Sequence, residues 1–392
     1  MRSGYFFDKI SIFLGHFNNW PYLRAMREAL SALMPVYLFL SIWLLGFQWF
    51  KFSSLNNAFA LHIINLSGLL LSALTGYFLV KYKNFEKPEL HILVGIISFV
   101  CVSDFDLGIN SMLSAVIIVC VAIEVFHWFK GLKFFQINLG KEAPHTVETT
   151  LTDWLSFLIT SLVFLGIQLV SKSILRESFT SFIYKWLQSP LMLATTSLFG
   201  YLLIYSLGNL MFSKGIHQTA VTGTVLEPLL LIAMISNVSD GFSGRTGAYV
   251  INTNFQTVYA QMGGTGVTLG LLISVLIFLR KDKRYSDVLH MSLKPGLFEI
   301  NEPIIFGLPI VSNSLLQIPF VLSPILGTCI GYLATTAGFV RPLNILVPWF
   351  TPPLVSGFLA SGGDFKVVIL QIVILIMTSL LYLPFLFGRT KH

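Results

Sequence analysis

The chain has 392 residues, of which 55% are hydrophobic, 14% aromatic and only 11% charged, with a mean hydropathy of +0.77. A soluble domain carries about 25% charged residues, so a water-exposed globule of this composition leaves large apolar patches bare, which excludes a soluble enzyme, a nucleic-acid binder and a disordered scaffold. The formal charge of +7, from 25 Lys and Arg against 18 Asp and Glu, sits in short loops between apolar runs, as in a multi-span membrane protein.

The first thirty residues, MRSGYFFDKISIFLGHFNNWPYLRAMREAL, mix charges with aromatics and have no compact apolar stretch ahead of a small-residue cleavage site, so no cleavable signal is expected. Residues 6–28 read as an amphipathic helix along the interface, and 177–188 reads the same way. A bilayer crossing needs about 20 apolar residues. Runs of that kind fall at 32–50, 59–80, 91–102, 112–129, 155–170, 191–212, 267–279, 315–337 and 367–387. The third is short and ends in VSDFDLG, a sign of a tilted or broken span.

Basic residues count four before the first run (Arg2, Lys9, Arg24, Arg27), then one (Lys51), three (Lys81, Lys83, Lys87), none in 104–111, and three again (Lys130, Lys133, Lys141). This alternation puts the N-terminus in the cytoplasm. The cluster RKDKR at 280–284 with Lys294, and the tail with Arg389 and Lys391, belong on the same side. Two cytoplasmic ends demand an even number of crossings, so about ten transmembrane helices are expected from nine clear runs. The loop with Lys172, Arg176 and Lys185 does not fit the alternation.

The two halves differ in texture. Residues 1–185 hold plain spans and charged loops, the first five crossings. From 186 to 392 the apolar stretches fill with Gly, Pro, Asn, Ser and Thr, as in KGIHQTAVTGTVLEPLLL (214–231), QMGGTGVTLGLL (261–272), LKPGLFEINEPIIFGLPIV (293–311) and VPWFTPPLVSGFLASGGD (347–364). Irregular backbone at membrane depth survives only when protein buries it or a watery cavity lies beside it, and paired broken segments point to a transporter's binding site. Stretches 214–235 and 293–311 share a rhythm, a Gly-led entry, a polar patch, Glu-Pro and an apolar exit. The expected fold is therefore an all-α polytopic membrane protein with two re-entrant hairpins in a C-terminal transport half.

Cys101, Cys120 and Cys329 all lie inside apolar runs, so the chain offers neither a metal cluster nor an exposed thiol for a phosphoryl group. Among acidic residues Glu302 stands out. A carboxylate near the bilayer centre costs about 2.5–3.5 kcal/mol on insertion scales and is functional or paired by default. In INEPIIFG, Pro303 starts a helix, so Asn301, Glu302 and free amides face whatever sits at its N-terminus. Such a carboxylate can accept a sugar hydroxyl and take its proton as it attacks phosphorus; capping the helix or pairing a cation is the alternative. His217, in the polar turn KGIHQT after a long run, is either a ligand for a hydroxyl or phosphoryl group or a packing residue. The other seven histidines read as packing or interfacial. Glu227 is a second ligand or a cap, Glu124 pairs across a helix interface, and Trp349 is a pyranose stacking platform or an interfacial belt residue. The GGTG at 263–266 follows no strand and is not a nucleotide fingerprint; a close approach of two elements explains it.

The run FEINEPIIFGLPIVSNSLLQIPFVLSPIL (298–326) followed by VPWFTPPLVSGFLASGGDFKVVILQIV (347–373) resembles the membrane component, enzyme IIC, of the lactose/cellobiose/diacetylchitobiose phosphotransferase family, with weaker likeness at MGGTGVTLGL, GIHQ and LRAMREALSALMPV. The resemblance implies a ten-span homodimer in a bacterial inner membrane, dimerising through the 1–185 half. The second half carries a disaccharide by elevator-type movement and presents its 6-hydroxyl to a phosphocysteine on a separate enzyme IIB, itself charged by enzyme IIA. No cofactor is implied in this chain, since enzyme IIB supplies the phosphoryl group. The family's NEP glutamate falls on Glu302, its GIHG histidine on His217 and its PWxTPP tryptophan on Trp349. Glu302 and His217 are the expected catalytic pair, and Asn301, Glu302, His217, Trp349, Gln256, Gly263 and Gly264 the expected sugar-binding set. The sequence departs from the family pattern at Phe212, Gln218, Gln256, Thr257 and KEAPHTVETTL (141–151), which leaves the substrate open. An ion-coupled transporter using Glu302 and Glu227, and a non-transporting membrane sensor, are the alternatives.

Overall fold

The computed structural model describes residues 9, 12–50, 55–140 and 144–387; the basic residues Arg2, Lys51, Lys141, Arg389 and Lys391 fall outside them. All nine apolar runs are helical. In chain order they are α1 (Pro21–Phe50), the bent pair α2 (Leu55–Ile64) and α3 (Ser67–Lys83), α4 (Pro88–Ser103), α5 (Met112–Gly131), α6 (His145–Ile174), the bent pair α7 (Phe179–Thr196) and α8 (Leu198–Ser213), α10 (Thr268–Leu279), α13 (Ser314–Thr336) and α14 (Phe365–Phe387). Between them lie α9 (Leu226–Phe242), α11 (Lys283–Leu297) and α12 (Glu302–Gly307). Among the described residues five helices are long and apolar enough to cross a bilayer alone, up to seven if each bent pair counts once, and α4 and α10 are shorter apolar helices. Among the described residues there is no strand.

The stretch expected to form one amphipathic helix over 6–28 is interrupted. Residues 12–18 are helical, the chain breaks at Asn19 and Trp20, and Pro21 begins α1, whose thirty residues run on through the first apolar stretch. Proline at the first helical position lacks only an amide that has no partner there, which explains the restart. Segment 177–188 likewise feeds into α7 rather than standing apart.

The chain divides into two compact units, one of residues Phe17–Pro35 and Ala58–Leu191, the other of Met1–His16, Val36–Asn57 and Met192–His392. In the first unit α3, α4 and α5 pack mutually and α6 lies against α4 and α5. Small residues allow this. A Cβ on Gly95 would lie 3.0 Å from the Val119 side chain and one on Gly76 3.5 Å from it, the close approach that membrane helices use in place of a hydrophobic driving force. Charges inside this unit are paired. Lys83 donates to Glu124 at 2.5 Å, the cross-helix pair expected for Glu124, and Asp153, 1% exposed, sits between Lys87 at 2.5 Å and Lys130 at 3.0 Å. Helix α4 stops at Ser103, where Asp104 and Phe105 take positive φ, the break read from VSDFDLG.

In the second unit α8 and α14 pack on α13, and α10 packs on α14. Its irregular backbone is satisfied by buried side-chain amides. Asn237 and Asn252 donate to the Leu343 carbonyl, Asn254 to that of Ile345, and Gln371 to that of Val258 while accepting from the Leu354 amide. Each such bond removes an orphan polar group that lipid could not satisfy. The prolines at 319 and 324 stay within α13, as neighbouring side chains permit in membrane helices.

Candidate functional site

The site begins with a turn that only glycine can make. Gly263, Gly264 and Gly266 have φ of +78°, +96° and +86°, and a Cβ on Gly264 would fall 2.5 Å from the Asn301 side chain, one on Gly266 2.3 Å from the Phe320 ring. The close approach expected of GGTG is thus against the segment that carries Glu302. The turn is pinned from inside: Thr268 donates to the Gly263 carbonyl at 2.5 Å and Tyr382 to that of Gly266 at 2.7 Å.

Two further segments are stitched to it. Asn301, 5% exposed, donates to the Thr265 carbonyl at 2.7 Å. The Thr265 hydroxyl donates at 2.5 Å to Gln218, the neighbour of His217. These bonds hold 217–218, 263–266 and 299–302 in one cluster although they are far apart in sequence. Asn301, Glu302, His217, Gly263 and Gly264, five of the positions expected from sequence, come together through it.

Within the cluster the expected pair faces outward. Glu302 is exposed, and among the described residues nothing is hydrogen-bonded or ion-paired to it. Helix α12, which it opens, is only six residues long, so the helix-terminus contribution expected from INEP is small and the carboxylate is the principal charge. His217 is exposed as well. Its Nδ1 lies 2.9 Å from the Thr219 hydroxyl and its ring 4.9 Å from that of Phe212, which fixes the imidazole plane and leaves Nε2 available. The Thr219 amide donates to Nδ1 at 3.3 Å, which makes Nδ1 the acceptor and puts the proton of the neutral ring on Nε2. Trp349 is 53% exposed, edge-on to Phe350. Its turn is held where Val347 donates to Asn254, two residues from Gln256. Gln256 is half-buried and spends its amide internally, 3.5 Å from the Tyr201 hydroxyl and donating to Gln261 at 3.2 Å. Glu227, in the first turn of α9, accepts from the Thr222 hydroxyl at 2.8 Å.

Sequence reasoning missed the residues behind this surface. Tyr205 is buried beside Gln261, at 3.4 Å. Gln218, noted only as a departure from a family pattern, is the link between the histidine turn and the glycine turn. Glu299, three residues before Glu302, is 5% exposed and accepts the Gly264 amide at 2.8 Å. A second acid in an apolar stretch was the available signal for it.

A sequence profile of the phosphotransferase system EIIC family matches residues 57–324. An oligo-beta-mannoside-specific EIIC component of Bacillus subtilis is 27% identical over 98% of this chain and 94% of its own. A cellobiose-specific EIIC component of Geobacillus stearothermophilus is 31% identical over 71% of this chain and 62% of its own. The crystal structure of the transporter ChbC, the IIC component of the N,N'-diacetylchitobiose-specific phosphotransferase system, superimposes with a TM-score of 0.84 at 26% identity, covering 96% of this chain and 95% of that one.

Proposed function

Because the chain belongs to the phosphotransferase system EIIC family, and so is a membrane permease component of a sugar phosphotransferase system, we propose that it binds a β-linked disaccharide and presents the 6-hydroxyl for phosphorylation. The observation that supports this reading is the stitched cluster, in which the neighbours of Glu302 and His217 are bonded to the same glycine turn, both side chains are exposed, and the Glu302 carboxylate is unengaged among the described residues. The β linkage follows from the substrates named for the similar proteins. The donor is a phosphocysteine on a partner enzyme IIB, since Cys120 is buried and Cys101 and Cys329 are half-buried and no thiol of this chain suits the task.

The chemistry asked of the site is modest. The sugar oxygen attacks phosphorus, an O–P bond forms, the S–P bond breaks and the thiolate of the partner leaves. Glu302 accepts the hydroxyl hydrogen bond and then the proton; the imidazole of His217 donates to a second hydroxyl or to a phosphoryl oxygen. Trp349 supplies an indole face for the apolar side of a pyranose. The resulting phosphate is charged and does not return across the bilayer. Dimerisation, termini facing the cytoplasm and ten crossings complete the proposed arrangement.

Uptake of labelled cellobiose, lactose or N,N'-diacetylchitobiose into vesicles loaded with phosphorylated enzyme IIB tests it. Accumulation as the 6-phosphate, abolished when the donor is omitted, is the expected result. Net uptake driven by a proton or sodium gradient without a phosphoryl donor contradicts it and favours an ion-coupled carrier.

A further inference from the structure

Glu299 combines a left-handed backbone with a buried acid. Its φ is +67°, a region where glycine is at ease and a long side chain is strained. Its side chain is 5% exposed, and among the described residues no Lys or Arg pairs with it. One carboxyl oxygen accepts the Gly264 amide at 2.8 Å, the Gly263 amide also reaches the group, and the other oxygen has no hydrogen-bond partner among the described residues. Burying an acid this way, on strained backbone and half satisfied, is costly, and such costs persist where a site requires them.

The requirement is visible in the pairing. Glu299 accepts from the amide of Gly264, while Asn301, two residues on, donates to the carbonyl of Thr265 at 2.7 Å. Two bonds of opposite sense thus join two consecutive residues of the glycine turn to the segment leading into Glu302. A slip of one residue would take Glu299 away from the Gly264 amide and Asn301 away from the Thr265 carbonyl, and both bonds would be lost. The pair therefore fixes one register between the two segments. Glu302 follows Asn301 directly, and Gln218 ties the same turn to His217.

We propose that Glu299 is a positioning residue for sugar phosphorylation: its bond to the Gly263–Gly264 turn sets where the Glu302 carboxylate stands relative to His217. This rests on the reading of Glu302 given above. Glutamine at 299 keeps an oxygen that accepts the same amide, whereas glycine relaxes the backbone and removes the brace. Asparagine also tolerates the left-handed conformation but is one methylene too short.

The test measures steady-state phosphorylation of cellobiose by purified phosphorylated enzyme IIB on the full chain in vesicles, for Glu299→Gly, Glu299→Asn, Glu299→Gln and Glu302→Gln. Misplacement of a reacting group by about 1 Å costs about 100-fold. Glu299→Gly and Glu299→Asn are expected to lower kcat by about 10- to 100-fold with KM changed less than about threefold, while Glu299→Gln stays within about threefold of the unmodified chain. Unchanged kcat in both Glu299→Gly and Glu299→Asn overturns the proposal, and so does a loss in Glu299→Gln equal to theirs. If Glu302→Gln is inactive while Glu299→Gly is fully active, the positioning role alone fails; if Glu302→Gln is fully active, the role of Glu302 fails and takes this one with it.

Discussion

Replacing Gly264 with alanine tests whether the glycine turn really sets the site. At φ of +96° an L side chain is strained by about 1–3 kcal/mol. The new Cβ would stand 2.5 Å from Asn301 Cγ and 2.7 Å from its Nδ2, so Asn301 must move and give up its bond to Thr265. A buried donor and acceptor left unpaired cost about 1–3 kcal/mol more. If only the contact part is felt at the sugar site, a shift of about 2 kcal/mol weakens binding by about 30-fold. Gly338 supplies the control. Its φ is +75°, yet nothing lies within 4 Å of a Cβ there, so Gly338→Ala carries backbone strain without the collision. Isothermal titration of both purified variants with cellobiose separates the two. The expected result is a large loss of affinity in Gly264→Ala and little in Gly338→Ala. Equal affinities for Gly264→Ala and the unmodified chain would show that the Asn301–Thr265 bond does not shape the sugar site.

Two other outcomes follow from the geometry. Trp349→Ala removes the exposed indole and is expected to weaken disaccharide binding about tenfold, about 1.4 kcal/mol, with little change in kcat; a fall in kcat at unchanged affinity argues against a stacking role. Asp153→Ala removes the buried acceptor that Lys87 and Lys130, 41% and 26% exposed, share, and losing hydrogen bonds to a charged group costs about 1.5–3 kcal/mol; a thermal unfolding scan in detergent should show a lower midpoint, and an unchanged midpoint argues that solvent already screens the trio.

How far the sequence could be read depends on the range of the interaction. Apolar runs of span length declare themselves locally, and seven of the nine became a single helix while 59–80 and 191–212 became bent pairs. The break after α4 was legible because polar residues crowd VSDFDLG, and the pairing of Glu124 because a lone acid in an apolar helix needs a cation. Helix starts were harder. Pro21 looked like a residue inside an amphipathic stretch, while the chain uses it to begin α1. The second compact unit also takes in Val36–Asn57 and begins its long segment at Met192, a grouping set by packing that no composition boundary marks.

Of the site, Glu302 and His217 were legible as polar residues in broken stretches, but what holds them was not. The bond from Gly264 to Glu299 spans 35 residues, that from Thr265 to Gln218 spans 47, and neither leaves a periodic trace. Glutamine in GIHQ and glutamate in FEINEP read as departures or neighbours until their partners are seen. The shortness of α12 was equally hidden, because Pro303 announces where a helix starts and says nothing of where it ends.

In the proposed reaction the Glu302 carboxylate takes the proton from the hydroxyl that becomes phosphorylated. Glu302→Gln keeps the shape and one hydrogen bond but removes the base. With phosphorylated enzyme IIB and saturating cellobiose, single-turnover phosphorylation should fall by about 100-fold or more while the disaccharide still binds within about tenfold. Phosphorylation by Glu302→Gln at the rate of the unmodified chain would contradict the account.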